Sequence, residues 1–267
     1  MLSMQEFFRM DRWPNSYCPG CGNGTVMNCL YRALRDVVDM DKLVMVGGIG
    51  CSARIDGYVF ADAIHTTHGR AIAFATGIKL GNPELDVIVV GGDGDIGAIG
   101  GNHLINAARR NMDILVLCVN NWIYGMTGGQ VSPATPHTGI STTTPEGNQE
   151  YSFEFVKLVA ECGANYAARW SIAHPFQLID AIKTAHQKKG FRYVEALSIC
   201  PTGYGRNNKL AEPAQLFEYL KSKTYILKQN GTHGSGIAVN LDGKFALGEF
   251  ANRDRESYLE SLKKQEV

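Results

Sequence analysis

The sequence has no excess of either charge: its 267 residues carry 26 basic and 26 acidic side chains. A protein that holds nucleic acid electrostatically shows a basic surplus, so that class is excluded. Long apolar runs are missing as well. The longest, Ile114 to Val119, has six residues, whereas a membrane helix needs about 20. The opening MLSMQEFFRMDRWP mixes charges with apolar residues and has no small-residue cleavage site, so no secretory leader is expected. These absences predict a cytoplasmic protein that works with neither nucleic acid nor membrane. Repeats and low-complexity tracts are also missing, and a 45% hydrophobic share excludes disorder. Cysteines number seven. An odd count in a cytoplasmic chain argues against a disulfide framework and for metal ligation or plain burial.

Glycine is the abundant residue, with 30 copies, as expected of tight turns and of backbone that approaches a ligand closely. Apolar residues at three-to-four spacing predict helices from Asn23, over Arg70–Leu80, Ile99–Arg110, Phe153–Cys162 and Phe176–Lys188. Strands are predicted at Lys42–Val46, Asp86–Val90, Asp113–Val119, Tyr166–Arg169 and Tyr193–Ile199, with a long loop over Trp122–Gln149. Strands that alternate with helices imply an α/β fold: a mostly parallel sheet with helices on both faces. Ligands of such sheets sit beyond the strands' carboxyl ends, where this sequence places its glycines. Residues 1–225 read as one domain. Residues 226–267 read as an appendage, with a hairpin of Ile237–Asn240 and Lys244–Leu247 and a charged helix over Arg253–Gln265.

The run Gly91-Gly92-Asp93-Gly94-Asp95-Ile96-Gly97 formally matches the dinucleotide fingerprint. Two features oppose that reading. Asp93 stands where a bare pyrophosphate would approach and would repel it. The acidic residue expected about twenty positions on is replaced by Asn120-Asn121. A divalent cation between Asp93 and a diphosphate removes the repulsion. Mg²⁺ takes about six oxygens, and Asp93, the Asn121 amide oxygen and a nearby backbone carbonyl could supply three. The plainer alternative is that Asp93 caps a helix and Asn121 turns the chain.

Cys18-Pro19-Gly20-Cys21 could be half of a zinc site, a redox pair or half of an iron–sulfur site. A zinc ribbon needs a second C-x₂-C, which the sequence lacks. Cys29, Cys118 and Cys162 fall in apolar helix or strand patterns and read as core. Cys18, Cys21, Cys51 and Cys200 fall in loops, which makes them the candidate set for a [4Fe–4S] cluster.

Gly92-Asp93-Gly94, twenty-five residues, then Asn120-Asn121 resembles the thiamine diphosphate motif. Cys-Pro-Gly-Cys-Gly, Gly-Ile-Gly-Cys-Ser, Thr-His-Gly-Arg, Gly-Gly-Asp-Gly-Asp, Gly-Gly-Asn-His, Tyr-Gly-Met-Thr-Gly-Gly-Gln and a late Cys-Pro-Thr follow in order. Across residues 13–225 the chain is similar to the β subunit of 2-oxoacid:ferredoxin oxidoreductases. The resemblance implies a thiamine diphosphate-binding fold. It implies Mg²⁺ on Asp93, Asn121 and the carbonyl of Ile123, with Gly92, Gly94, Asp95, Gly125, Met126 and Thr127 at the diphosphate. It places Ile49, Gly50, Cys51, Ser52 and His68 against the cofactor, with Ile49, Ser52 and His68 in catalytic positions, and gives the cluster to Cys18, Cys21, Cys51 and Cys200. The plainer reading of His68 is a surface histidine at a helix start.

The resemblance further implies oxidative decarboxylation of a 2-oxoacid, with coenzyme A as co-substrate and ferredoxin as electron acceptor. An obligate α subunit would carry the pyrimidine-binding domain, in a complex that can include small γ and δ subunits. Arg54 is the candidate for a substrate's distal carboxylate, because a guanidinium suits bidentate capture. This favours 2-oxoglutarate, giving succinyl-CoA and CO₂ or the reverse carboxylation, over pyruvate or branched-chain oxoacids. A surface arginine or an interface salt bridge is the alternative. An NAD-linked dehydrogenase leaves the loop cysteines unexplained, and a zinc-binding scaffold leaves the glycine loop unexplained.

Overall fold

A computed structural model describes residues 1–227 and 237–264. The chain begins with α1 (Met4–Phe7), α2 (Asn23–Leu34), β1 (Leu43–Gly47), β2 (Asp62–His65), α3 (Ala71–Gly81), β3 (Asp86–Gly92), α4 (Gly101–Arg110) and β4 (Leu115–Asn120). Then come β5 (Ile123–Tyr124), β6 (Gln130–Val131), α5 (Phe155–Glu161), β7 (Tyr166–Ser171), α6 (Pro175–Gln187) and β8 (Arg192–Leu197). Last are α7 (Pro213–Ser222), β9 (Thr224–Ile226), β10 (Phe245–Asn252) and α8 (Tyr258–Lys263).

Eight strands form one sheet in the order β2-β1-β3-β4-β8-β7-β10-β9. The six from β2 to β7 are parallel throughout. Their composition explains why. β1, β4 and β8 are buried at every residue, which suits a parallel sheet covered on both faces. One helix layer is α3, α4 and α5; the other pairs α2 with α6. The chain leaves β1 for β2 on one side and β3 on the other. The carboxyl ends of β1, β3 and β4 therefore border a topological switch point, where such sheets bind ligands.

The C-terminal region differs from expectation. No hairpin forms around Leu241-Asp242-Gly243. Asn240 is buried, and its side chain accepts from Gly243 N and donates to the carbonyl of Lys244, which closes a local turn without strand pairing. Val239 bridges Phe153 instead. Phe245–Asn252 joins the main sheet, antiparallel to β7 and parallel to β9, so this stretch is part of the core rather than an appendage. The charged helix is shorter than expected, spanning Tyr258–Lys263 behind a capping box of Ser257 and Glu260. Arg253 and Arg255 are held extended by Asn165. The expected helix end at Gln265 lies outside the described residues. No helix among the described residues is long and apolar enough to cross a membrane.

Candidate active site

Three strand ends build the site. β3 runs into a π-helical turn, Gly94–Ile99, an irregularity found mostly at functional sites. Here the backbone leaves no room for side chains: a Cβ on Gly94 would lie 2.1 Å from the ring of Tyr124. Asp93, at the head of this turn, is 1% exposed. It accepts from the Ser132 hydroxyl and from the backbone N–H of Asn121. Burial pushes its carboxyl up to about 7, against those hydrogen bonds and with a further push from Glu195.

Asp95 ties three loops together. Its Oδ1 accepts from Gly69 N at 2.7 Å and Ile49 N at 3.2 Å, and His68 Nδ1 lies 3.1 Å away. The same Nδ1 is 3.2 Å from the carbonyl of Ile49. Both neighbours are acceptors, so Nδ1 carries the proton and Nε2 is the nitrogen left for other contacts. Ser52 donates to Asn23 at 3.2 Å and so joins the start of α2 to the same wall.

β4 ends at Asn120, beside the end of β3, and Asn121 follows it directly. The following Trp122 has φ +66°, a left-handed conformation rare for a bulky residue. Its indole stacks on Phe245, with ring centres 5.5 Å apart, while Asn121 and Ile123 on either side line the cavity.

These elements enclose a cavity of about 490 Å³. On its wall are Ile49, Gly50, Cys51, Ser52 and His68 from the first two loops, then Gly92, Asp93, Gly94 and Asp95 from the third. The segment after β4 contributes Asn121, Ile123, Gly125, Met126 and Thr127. The structure thus brings together every residue expected at the cofactor. Ile99, Tyr124 and Gln130 line it too.

A second cavity, of about 510 Å³, adjoins the first. Cys18, Cys21, Cys51 and Cys200 all line it, and Cys51 belongs to both walls. The turn between Cys18 and Cys21 needs glycine: Gly20 has φ +74°, and a Cβ there would sit 2.3 Å from Pro213. Thr202 Oγ1 lies 3.7 Å from the sulfur of Cys18 and 3.8 Å from that of Cys200. Burial pushes the Cys21 thiol up to about 11, and the other three cysteines add to the rise. Among the described residues no three His, Cys, Asp or Glu side chains converge tightly enough for a single metal ion. Cys29 and Cys118 are buried, and Cys162 is half-buried against the core. Arg54 is exposed, lies on the cysteine-lined cavity and on an outer basin with Arg9 and Arg12, and does not reach the first cavity.

Residues 48–196 match the thiamine pyrophosphate enzyme, C-terminal TPP binding domain. The 2-oxoglutarate synthase subunit KorB of Methanocaldococcus jannaschii is 46% identical over 97% of this chain and 95% of its own. The chain belongs to the β subunits of 2-oxoacid:ferredoxin oxidoreductases, 2-oxoglutarate type. The KorB subunit of Methanothermobacter thermautotrophicus is 47% identical over 96% of this chain and 89% of its own. The 2-oxoglutarate:ferredoxin oxidoreductase from Magnetococcus marinus, solved with 2-oxoglutarate, coenzyme A and succinyl-CoA bound, superposes with a TM-score of 0.88 at 30% identity. That match covers 99% of this chain and 89% of the other.

The structure of this β subunit also shows residues that sequence patterning missed. Ser132, buried on Asp93, comes from the long loop after β4, which folds back as the β5–β6 ribbon. A lone serine among many polar loop residues gives no signal. Glu195 and Arg169 lie in strands and are fully buried as a pair at 2.9 Å. Arg169 stands at the end of the expected strand and Glu195 inside the next, but nothing in the sequence pairs the two charges.

Proposed function

We propose that this chain is the cofactor-binding β subunit of a 2-oxoglutarate:ferredoxin oxidoreductase. It would convert 2-oxoglutarate and coenzyme A to succinyl-CoA and CO₂, or run the reverse carboxylation, and exchange electrons with ferredoxin through a [4Fe–4S] cluster. The observation that carries this reading is the shared wall: Cys51 faces both the glycine-lined cavity and the one with four cysteines.

The residues fit the groups. A buried carboxylate held near pH 7 is the group a cation neutralises, and Asp93, the Asn121 amide and a backbone carbonyl form the all-oxygen set that Mg²⁺ prefers. We assign the cation to Asp93, Asn121 and the carbonyl of Ile123, and the diphosphate to the backbone of Gly92, Gly94 and Gly125 with Asp95, Met126 and Thr127 around it. Four soft thiols around about 510 Å³ suit a polynuclear cluster. Packed thiolates repel one another, and bound iron offsets that repulsion.

When bound, thiamine diphosphate supplies the electron sink for decarboxylation, Mg²⁺ the charge neutralisation and the cluster a one-electron store. The chain's own residues orient and hold. Asp95 fixes His68 by Nδ1, which leaves Nε2 to accept or return a proton. Ile49 and Ser52 bound the space beside it. Arg54, at the edge of the cysteine-lined cavity and of the outer basin, is our candidate for the distal carboxylate of the substrate. Ile49, Ile99 and Met126, all on the first cavity's wall, are 38%, 49% and 45% exposed. Such an apolar rim fits coverage by an α subunit that completes the cofactor site, in a complex that can hold γ and δ subunits.

The test is to produce the chain with its α partner anaerobically and follow viologen or ferredoxin reduction against a panel of 2-oxoacids. Coenzyme A-dependent reduction with 2-oxoglutarate as the preferred substrate is expected. No 2-oxoacid-dependent reduction would end the reading, and a preference for pyruvate would end the substrate assignment.

A further inference from the structure

Given the cation site proposed above, on which this rests, we infer that Asn120 is its positioning residue, anchored from behind by a buried ionic chain and acting through the left-handed turn at Trp122. Asn120 is fully buried and does not line the cavity. Its Oδ1 accepts from Trp122 N at 3.2 Å. Its Nδ2 donates to Glu195 Oε1 at 2.8 Å, so both halves of the amide are fixed.

Glu195 is immobilised in turn. Its Oε2 accepts from Arg169 Nε at 2.9 Å, and Arg169 Nη1 lies 2.7 Å from Glu154 Oε2. Asn240 donates to the other oxygen of Glu154 at 2.9 Å. Asn120, Glu195 and Arg169 are all 0% exposed. Arg169 carries one positive charge against two carboxylates. The chain therefore leaves net negative charge behind a site that takes a cation, which adds attraction at low dielectric.

The turn needs that support. A left-handed conformation at a non-glycine residue is strained, because Cβ crowds the following carbonyl. Asn120 holds the N–H of Trp122, and Thr135 Oγ1 donates to its carbonyl at 2.6 Å. Thr135 Oγ1 also accepts from Ser132 N at 2.9 Å, and Ser132 carries the hydroxyl on Asp93. One clamp thus sets Asn121, Ile123 and Asp93 relative to one another. Without it, Trp122 relaxes to negative φ and the residues on either side rotate away from Asp93.

The experiment uses the assembled complex with saturating thiamine diphosphate and Mn²⁺ in place of Mg²⁺, read by the electron paramagnetic resonance of free and bound Mn²⁺. Asn120→Leu keeps the shape and loses both hydrogen bonds. It should weaken Mn²⁺ binding at least tenfold. Thr135→Val keeps the shape and removes the hydroxyl from the other side of the turn. It should shift Mn²⁺ affinity the same way, and it carries the test if Asn120→Leu does not fold. Wild-type Mn²⁺ affinity in a folded variant, or a kcat loss without an affinity loss, overturns the positioning role. Failure of the wild-type complex to bind Mn²⁺, or unchanged binding in Asp93→Asn, overturns the cation site itself.

Discussion

Replacing Arg169 with methionine tests the buried ionic chain most directly. The substitution keeps most of the volume and removes the cation shared by Glu195 and Glu154, which are 0% and 2% exposed. Both carboxylates lose a partner at 2.9 and 2.7 Å. The guanidinium also leaves the faces of Phe245 and Phe250, 5.5 and 5.7 Å from their ring centres. Removing one member of a buried pair costs about 3–5 kcal/mol, because a charge is left buried without compensation. Two stranded carboxylates place this variant at the upper end of that range. For a chain of this size each kcal/mol moves Tm by about 2–4 °C, so at about 5 kcal/mol Arg169→Met should melt roughly 10–20 °C lower. Urea unfolding of the purified chain, followed by tryptophan emission, gives the free energy. Adding Glu154→Gln and Glu195→Gln removes the stranded charges and should restore most of the loss, since a neutral network does not carry their desolvation cost. A single variant within about 1 kcal/mol of wild type, or a triple variant no better than the single, would refute this account.

Asp93 sets a pH dependence. Its carboxyl is raised to about 7, so a cation bound there as proposed must displace a proton below pH 7. Mg²⁺ affinity should be flat above pH 8 and fall about tenfold per pH unit below 7; a flat titration from pH 6 to 8 would contradict the shift. At the far end of the sheet, burial raises the Asp86 carboxyl, but the hydrogen bond from His186 and the charges of His186, Arg192 and Lys79 outweigh it and hold it low. A depressed carboxyl stabilises above its unfolded pKa, so the stability difference between wild type and Asp86→Asn should be full near pH 6 and vanish as pH falls below about 4. Arg54→Ala should raise the KM for 2-oxoglutarate at least tenfold, or about 1.4 kcal/mol, with kcat little changed; an unchanged KM removes Arg54 from substrate binding. Cys18→Ala and Cys200→Ala should each lose the visible absorption of the anaerobically prepared complex while Cys162→Ala retains it.

Much of the architecture could be read from apolar patterning. β1, β3 and β4 are aliphatic runs with no polar interior to mislead, whereas β8 carries Glu195 inside it. The edge strand β2 was invisible because all four of its residues are exposed and its pairing is backbone-driven. β7 extends beyond Arg169 because a paired charge can sit inside a sheet, which residue type alone does not reveal. α7 went unread behind Pro213, although proline suits the first turn of a helix and Leu216 and Leu220 give it a buried stripe. At the site, the glycine loop and the Asn pair could be read because their chemistry demands unusual residues. The ties behind them, Ser132, Thr135 and Glu195, are ordinary residues that only folding brings within reach.

The late arrival of β10 has a consequence for how the molecule matures. Arg169 and Trp122 are both roofed by Phe245, a residue made more than seventy positions after Arg169. Until that roof is synthesised and docked, the arginine and its two glutamates lack this aromatic cover, and the indole has only Tyr204 and Tyr219 beside it. A nascent subunit that has already emerged through Cys200 therefore has its glycine loop and its cysteines but lacks this backing for them. The backing of the site is therefore complete only once β10 has docked beside β7.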